Sequence, residues 1–240
     1  MINKVLCLVF MFTVLFASAQ ETEKIQKDRT SQKQFKNTGI SLYMGFSCIT
    51  NNQFKHSLQN NGIMVDVPKV NGLMGIKINA IDIYGHGIIS VEAGMEGNYR
   101  KENNHYIGLR TVYGTVEYLY PAINRKKIRL LPSLGVEYSY AIFKYNSLDN
   151  STISFQDLSI VKDGSINLHQ NYSFSALLGT YFNYFITNNN GGLSFYIKCR
   201  IPFDKKNARW KVENTDRTVT DLDKYISNYL FLGVGYVFTF

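Results

Sequence analysis

The sequence predicts an all-β fold, an eight-stranded antiparallel up-and-down transmembrane β-barrel. Three observations carry this expectation. The chain opens with a segment built for export. Eight later segments alternate large apolar residues with small or polar ones at a period of two. The connections between those segments alternate in length. A period of two marks a strand with unlike faces. In a membrane barrel the apolar face meets lipid and the other face fills the lumen.

The export segment has three parts in order. Lys4 supplies a positive start, residues 5–16 are apolar, and Ala17-Ser18-Ala19 forms a small-residue cleavage site before Gln20. Residues 1–19 are therefore expected to be a cleaved signal peptide. The apolar core is short for a spanning helix, which needs ~20 residues. No Cys follows the site to take a lipid anchor. Residues 20–38 are polar and aperiodic and read as a flexible periplasmic lead-in. The barrel is expected over residues 39–240.

The first strand covers residues 39–50, with Ile40, Leu42, Met44, Phe46 and Cys48 outward and Ser41, Tyr43, Gly45 and Ser47 inward. The second, 72–81, turns Met74, Ile76, Ile78 and Ala80 out and Lys77 and Asn79 in. A tight connection at 82–87 leads to the third, 88–98, with Ile89, Val91, Ala93 and Met95 outward. Residues 99–104 read as a short charged loop. The fourth strand, 105–119, points Val112, Val116 and Tyr118 outward, and Arg110 with them near a rim. After a turn at 120–127, the fifth covers 128–145 with Leu130, Leu134, Val136, Tyr138, Tyr140 and Ile142 outward. Pro132 lacks the N–H a closed sheet needs, so it belongs at a strand start or a bulge. The sixth strand, 171–187, and the seventh, 193–203, flank the run Asn188-Asn189-Asn190-Gly191-Gly192, a hairpin signal. The eighth ends the chain, with Leu230, Leu232, Val234, Tyr236, Phe238 and Phe240 on one face and mainly small residues, including Gly233 and Gly235, on the other.

Connections after the second, fourth and sixth strands are short. Those after the first, fifth and seventh are long. Short periplasmic turns and long external loops are the asymmetry of outer-membrane barrels. It places both termini in the periplasm and residues 51–71, 99–104, 146–170 and 204–227 outside. A soluble sandwich or lipocalin-like barrel would share the alternation, with its apolar face turned inward. The export segment, the loop asymmetry and the terminal aromatic residue favour the membrane barrel.

The ending Gly235-Tyr236-Val237-Phe238-Thr239-Phe240, with the strand-like runs at 132–140 and 179–187, resembles the OmpA-type small outer-membrane β-barrel family. The likeness extends over about residues 39–240. It implies an eight-stranded barrel in the outer membrane of a Gram-negative envelope. No peptidoglycan-binding domain follows, unlike the longest members. The resemblance further implies that Gly235, Tyr236, Phe238 and Phe240 form the signal read by the barrel-assembly machinery. It implies no particular activity.

The net charge is +8, one less without Lys4. An exported protein rarely meets nucleic acid, so the expected partners of this charge are phosphates of outer-membrane lipid and lipopolysaccharide. By parity the inward charges are Lys77, Arg129, Lys198 and Arg200 against Glu92, Glu96, Glu117 and Glu137. An eight-stranded barrel is only wide enough for its own side chains. The charges are therefore expected to pair into a satisfied polar core, because an unpaired buried charge is costly. A symmetric second hairpin would set Lys77 opposite Glu92. The same residues also admit a gated plug that passes small ions.

His56, His86, His105 and His169 fall in loops or at rims without metal-ligand spacing, and no cofactor is expected. A pair such as His169 with Ser173 or Ser175 would resemble a hydrolase dyad, but no third group supports it. Cys48 and Cys199 lie on strands separated by the last one and are expected to be unpaired small apolar residues. The external stretches 151–168 and 208–222 contain strand-like runs. In the second, Arg209, Trp210 and Lys211 would suit a contact with an extracellular protein, a surface ligand or lipopolysaccharide, or would anchor the loop. The leading expectation is a non-enzymatic barrel with a structural or surface-interaction role. A narrow channel for ions or small solutes is the alternative, and a lipid-modifying enzyme the third reading.

Overall fold

The computed structural model describes residues 38–48, 52–60, 69–82, 87–102, 105–147, 165–170, 173–187, 191–203, 210–212, 218–219 and 230–239. The expected signal peptide, most of the lead-in, Arg209 and Phe240 lie outside these residues. In chain order the elements are β1 (Gly39–Cys48), α1 (Asn52–Asn60), β2 (Val70–Asp82), β3 (Ile88–Glu102), β4 (His105–Leu119), β5 (Ile123–Asn124), β6 (Ile128–Ser147), β7 (Ser165–Gln170), β8 (Ser173–Thr187), β9 (Gly191–Pro202), β10 (Trp210–Val212), β11 (Thr218–Val219) and β12 (Leu230–Thr239). Eight strands hydrogen-bond in the order β1-β2-β3-β4-β6-β8-β9-β12, each antiparallel to the next. β12 pairs back onto β1, from Thr239 opposite Gly39 to Leu230 opposite Cys48, and closes the barrel. Closure leaves no unpaired edge in the wall. The end carrying Gly39 and Thr239 is the near end, and the opposite one the far end.

The faces are those the alternation predicts. Met44 is 67% exposed, Phe46 65% and Leu134 58%, while Glu96, Glu117 and Arg200 are 1% exposed. Apolar groups cover the outside and charges fill the inside. A soluble sandwich or lipocalin-like barrel would have the reverse, so these exposures decide between the two readings.

Lumen tyrosines pack against glycines on neighbouring strands. Tyr196 of β9 lies directly opposite Gly233 of β12, and its ring occupies the space a side chain at Gly233 would need. Tyr113 lies across Gly94 in the same way. Replacing Gly233 with valine is expected to destabilise the barrel by about 1–3 kcal/mol through overpacking. The check is the temperature at which the compact, fast-migrating band disappears on a detergent gel.

The structure corrects several boundaries. Residues 99–102 are strand rather than loop: Tyr99 to Glu102 pair with Gly108 to His105. The charges of Arg100, Lys101 and Glu102 suggest a loop. Above an apolar zone, however, a ladder tolerates polar groups on both faces, and Tyr99 stacks on Tyr106 with centroids 5.8 Å apart. The turn at 120–127 contains β5, which pairs with Arg129 and Leu130. Pro132 lies inside β6, neither at its start nor at a register shift. Its carbonyl accepts from the Tyr120 N–H, 2.9 Å away and one residue past the end of β4. The missing donor of Pro132 therefore points to where that ladder has already stopped. The sixth predicted strand, 171–187, corresponds to β8, and β7 forms within residues 146–170, expected as an external loop. Ser139 pairs with Ser173, but Ile142 pairs with His169, so one extra residue is accommodated on the β7–β8 side. Such a surplus is the signature of a bulge.

Candidate functional site: the lumen and its far mouth

Parity along the strands brings the predicted charges inward, and all eight are buried. β3 supplies Glu92 and Glu96, β4 Glu117, β6 Glu137, and β9 Lys198 and Arg200. In the closed order β9 and β3 lie four strands apart, on opposite walls. Lys198 Nζ reaches across to Glu92 Oε2 at 2.6 Å and to Glu117 Oε1 at 2.8 Å. Arg200 places Nη1 3.0 Å from Glu96 Oε1 and Nε 2.7 Å from Glu137 Oε1. The two cations are thus cross-struts spanning the lumen.

Hydroxyl groups complete this layer. Tyr43 donates to Glu92 at 2.6 Å, Ser47 to Glu96 at 2.8 Å, and Tyr181 to Glu117 at 3.0 Å. Lys77 does stand opposite Glu92 in the ladder. Its ion-pair contact, however, is with Glu117 at 3.8 Å, and its ammonium lies 3.3 Å over the Tyr181 ring. Glu92 is already engaged by Lys198, which approaches head-on across the barrel. Arg129 is not among these ion pairs. It is the second residue of β6, at the near end, with its guanidinium carbon 4.6 Å above the Phe185 ring.

On the near side of the charges lies a polar layer of Ser41, Asn79, Ser90, Ser133, Asn183 and Ser194, followed by buried Ile88, Leu119, Leu131, Phe185 and Val237. On the far side the lumen turns apolar. Ile107, Leu109, Ala141, Phe143, Tyr145 and Leu168 line the mouth, and α1 inserts Phe54 and Leu58 among them. Phe54 meets Phe143 edge-on at 5.7 Å and Trp210 at 5.5 Å. Strand alternation does not anticipate this helix, and residues 51–71 read as loop by that criterion. The available signal is the four-residue spacing of Phe54 and Leu58 in an otherwise polar run, which places both on one helical face.

Trp210 corrects an expectation. It is completely buried in this apolar cluster, so it anchors the loop and presents no surface to a ligand. The strand it opens, β10, adds to the edge of β7, and β11 adds to β10. Lys211, next to it, is exposed on the outer face opposite His169. His169 pairs with the Tyr140 hydroxyl through Nδ1. Ser175 is buried on the opposite, lumen-facing side, so the imagined dyad is not assembled. In the terminal strand Phe238 is exposed on the outer face, and Tyr236 packs beside it at 4.6 Å between ring centroids. Gly235 lies opposite Tyr43 in the ladder.

The same architecture is found among solved structures. A major outer membrane protein from Thermus thermophilus superposes with a TM-score of 0.50 at 10% identity, covering 85% of this chain and 99% of that one. Ail, the attachment invasion locus protein of Yersinia pestis, gives a TM-score of 0.41 at 11% identity over 85% of this chain and 97% of its own. CarO of Acinetobacter baumannii gives 0.38 at 13% identity over 87% and 100%. At such identities the likeness concerns the fold, that of small outer-membrane barrels. No protein-family model and no curated protein matches the sequence.

Proposed function

We propose that the chain is a closed, non-enzymatic barrel of the outer membrane that works through what it displays outside the cell, as a structural or binding protein. In this reading the near end faces the periplasm and the far end the exterior. The observation that carries it is the obstructed lumen. Cross-struts from Lys198 and Arg200 fill the middle, and α1 with Trp210 fills the far mouth. Support also comes from the far end itself, where β7, β10 and β11 enlarge the sheet beyond the closed wall. Residues 1–19 deliver the chain through the inner membrane. Gly235, Tyr236, Phe238 and Phe240 present it to the barrel-assembly machinery. The partner outside is an extracellular protein or surface ligand.

The test is electrical. The full chain, folded in detergent and added to a planar lipid bilayer, is expected to give no stepwise current above the bare membrane. Regular current steps would instead support the narrow channel.

A further inference from the structure

We infer that the outer face of β3, β4 and β6, at the far end, is a binding site for a phosphorylated saccharolipid of the outer leaflet. The inference rests on the orientation proposed above, with the far end outside. Along the described outward positions of these strands, the apolar series of Val91 and Met95, Val112 and Val116, and Leu134 and Val136 ends in Arg110 directly after Val112, in Lys101 beyond Gly97 and Tyr99, and in Lys144 beyond Tyr138, Tyr140 and Ile142. No Asp or Glu occupies any described outward position of the three strands.

The three cations surround a shallow cradle. Gly108 is its floor, directly opposite Tyr99 on β3 and Lys144 on β6. The Tyr99 ring and the Lys144 stem approach that floor so closely that a side chain there would touch both, at 3.0 and 3.6 Å. Tyr99 is held by stacking on Tyr106. Arg110 lies diagonally across from Lys144, a separation of about 7–8 Å between backbones. Its Nη2 rests 3.1 Å from the sulfur of Met95, a weak acceptor at the top of the apolar zone. Among the described residues no carboxylate neutralises Lys101, Arg110 or Lys144.

Like charges gathered on one outer face repel, so an anion is the missing component. Their height selects its source. They stand at the upper margin of the lipid-facing zone, the depth of the headgroups, where cationic side chains extend to meet phosphates. The exposed ring of Tyr99 adds a flat apolar surface suited to a sugar face. A bisphosphorylated disaccharide lipid supplies both the charges and the sugar, whereas an ordinary phospholipid supplies only a charge.

The experiment uses the full chain in maltoside micelles and native mass spectrometry with three probes: bisphosphorylated lipid A, its dephosphorylated form, and phosphatidylglycerol. The wild type is expected to retain bisphosphorylated lipid A over both other probes. The variant Lys101→Gln/Arg110→Gln/Lys144→Gln is expected to bind it roughly a hundredfold more weakly, and Lys144→Gln alone roughly fivefold. A control variant removing Arg125, Lys126 and Lys127, exposed at the near-end turn, is expected to bind as the wild type does. Undiminished binding by the triple variant, or an equal loss in the control, would overturn the site. Equal retention of phosphatidylglycerol would overturn its assignment to a saccharolipid. A heat-shifted band on gels confirms that each variant is folded. A wild-type chain that failed to insert into lipid vesicles would overturn the barrel reading itself, which keeps the two failures apart.

Discussion

Replacing Arg200 with methionine is expected to destabilise the barrel by about 3–5 kcal/mol. The guanidinium serves two carboxylates, Glu96 on the wall opposite β9 and Glu137 two strands away from it. It lies 3.0 Å from Glu96 and engages Glu137 through two nitrogens at 2.7 and 2.8 Å. The Nη2–Oε2 leg is a charge-assisted hydrogen bond, the stronger kind of such contact. Phe231 packs beneath it, 4.4 Å from the guanidinium carbon. Methionine would preserve much of the volume but leave two buried carboxylates without their shared cation. Urea unfolding in detergent micelles, followed by tyrosine fluorescence, would measure the loss. A variant that also carries Glu96→Gln and Glu137→Gln is expected to recover most of it, because the uncompensated charge is gone. A compensated variant no more stable than Arg200→Met would show that packing was lost and charge was secondary.

The second large effect is expected at Trp210→Ala, about 3–5 kcal/mol by the same measurement. The indole is fully buried and forms one side of the far plug, with Phe54 at 5.5 Å and Phe143 at 6.3 Å. Its removal leaves a cavity beside α1, a helix too short to be stable without its packing. Trypsin cleavage within α1 should therefore accelerate. The exposed neighbour Lys211 provides the control, since Lys211→Ala should change stability by no more than ~0.5 kcal/mol. Current through the Trp210→Ala barrel should stay at the bare-membrane level, since the struts of Lys198 and Arg200 obstruct the lumen independently of the plug. The appearance of current would show that the far plug is the true seal.

Period-two alternation is enough to read the wall. The inward set from Ser41 to Thr239 and the closure of the last strand on the first follow from parity, because the side-chain period of a strand leaves only two registers of face. Burial of the charge set is legible for the same reason. The partners are not. Parity says that Lys77 and Glu92 face inward, and hairpin symmetry says that they are neighbours. Neither contains the curvature that carries Lys198 across to Glu92 from four strands away. Arg129 has the right parity but the wrong height, a coordinate that alternation does not encode. Flanking Arg209 and Lys211 suggest exposure for Trp210, and the suggestion misleads. Its burial depends on a three-residue strand joining the edge of β7, a non-local pairing with little sequence signal. The helix at Asn52–Asn60 is marginal by propensity and is selected by the apolar mouth it fills.

The closing seam has a chemical consequence. Leu230 of β12 pairs with Cys48 on one side and Cys199 on the other. Two strand spacings put those backbones about 10 Å apart, and a disulfide needs ~7 Å or less; none joins them. While the terminal strand is in place, the last staple of the wall is also a spacer between two thiols. A chain that has crossed into an oxidising compartment, but whose terminal strand is still outside the seam, has no such spacer. Oxidation would then weld β1 to β9 and lock the last strand out. Insertion of the terminal strand before oxidation would keep the two thiols apart, and reduction would reopen the seam of a chain oxidised first.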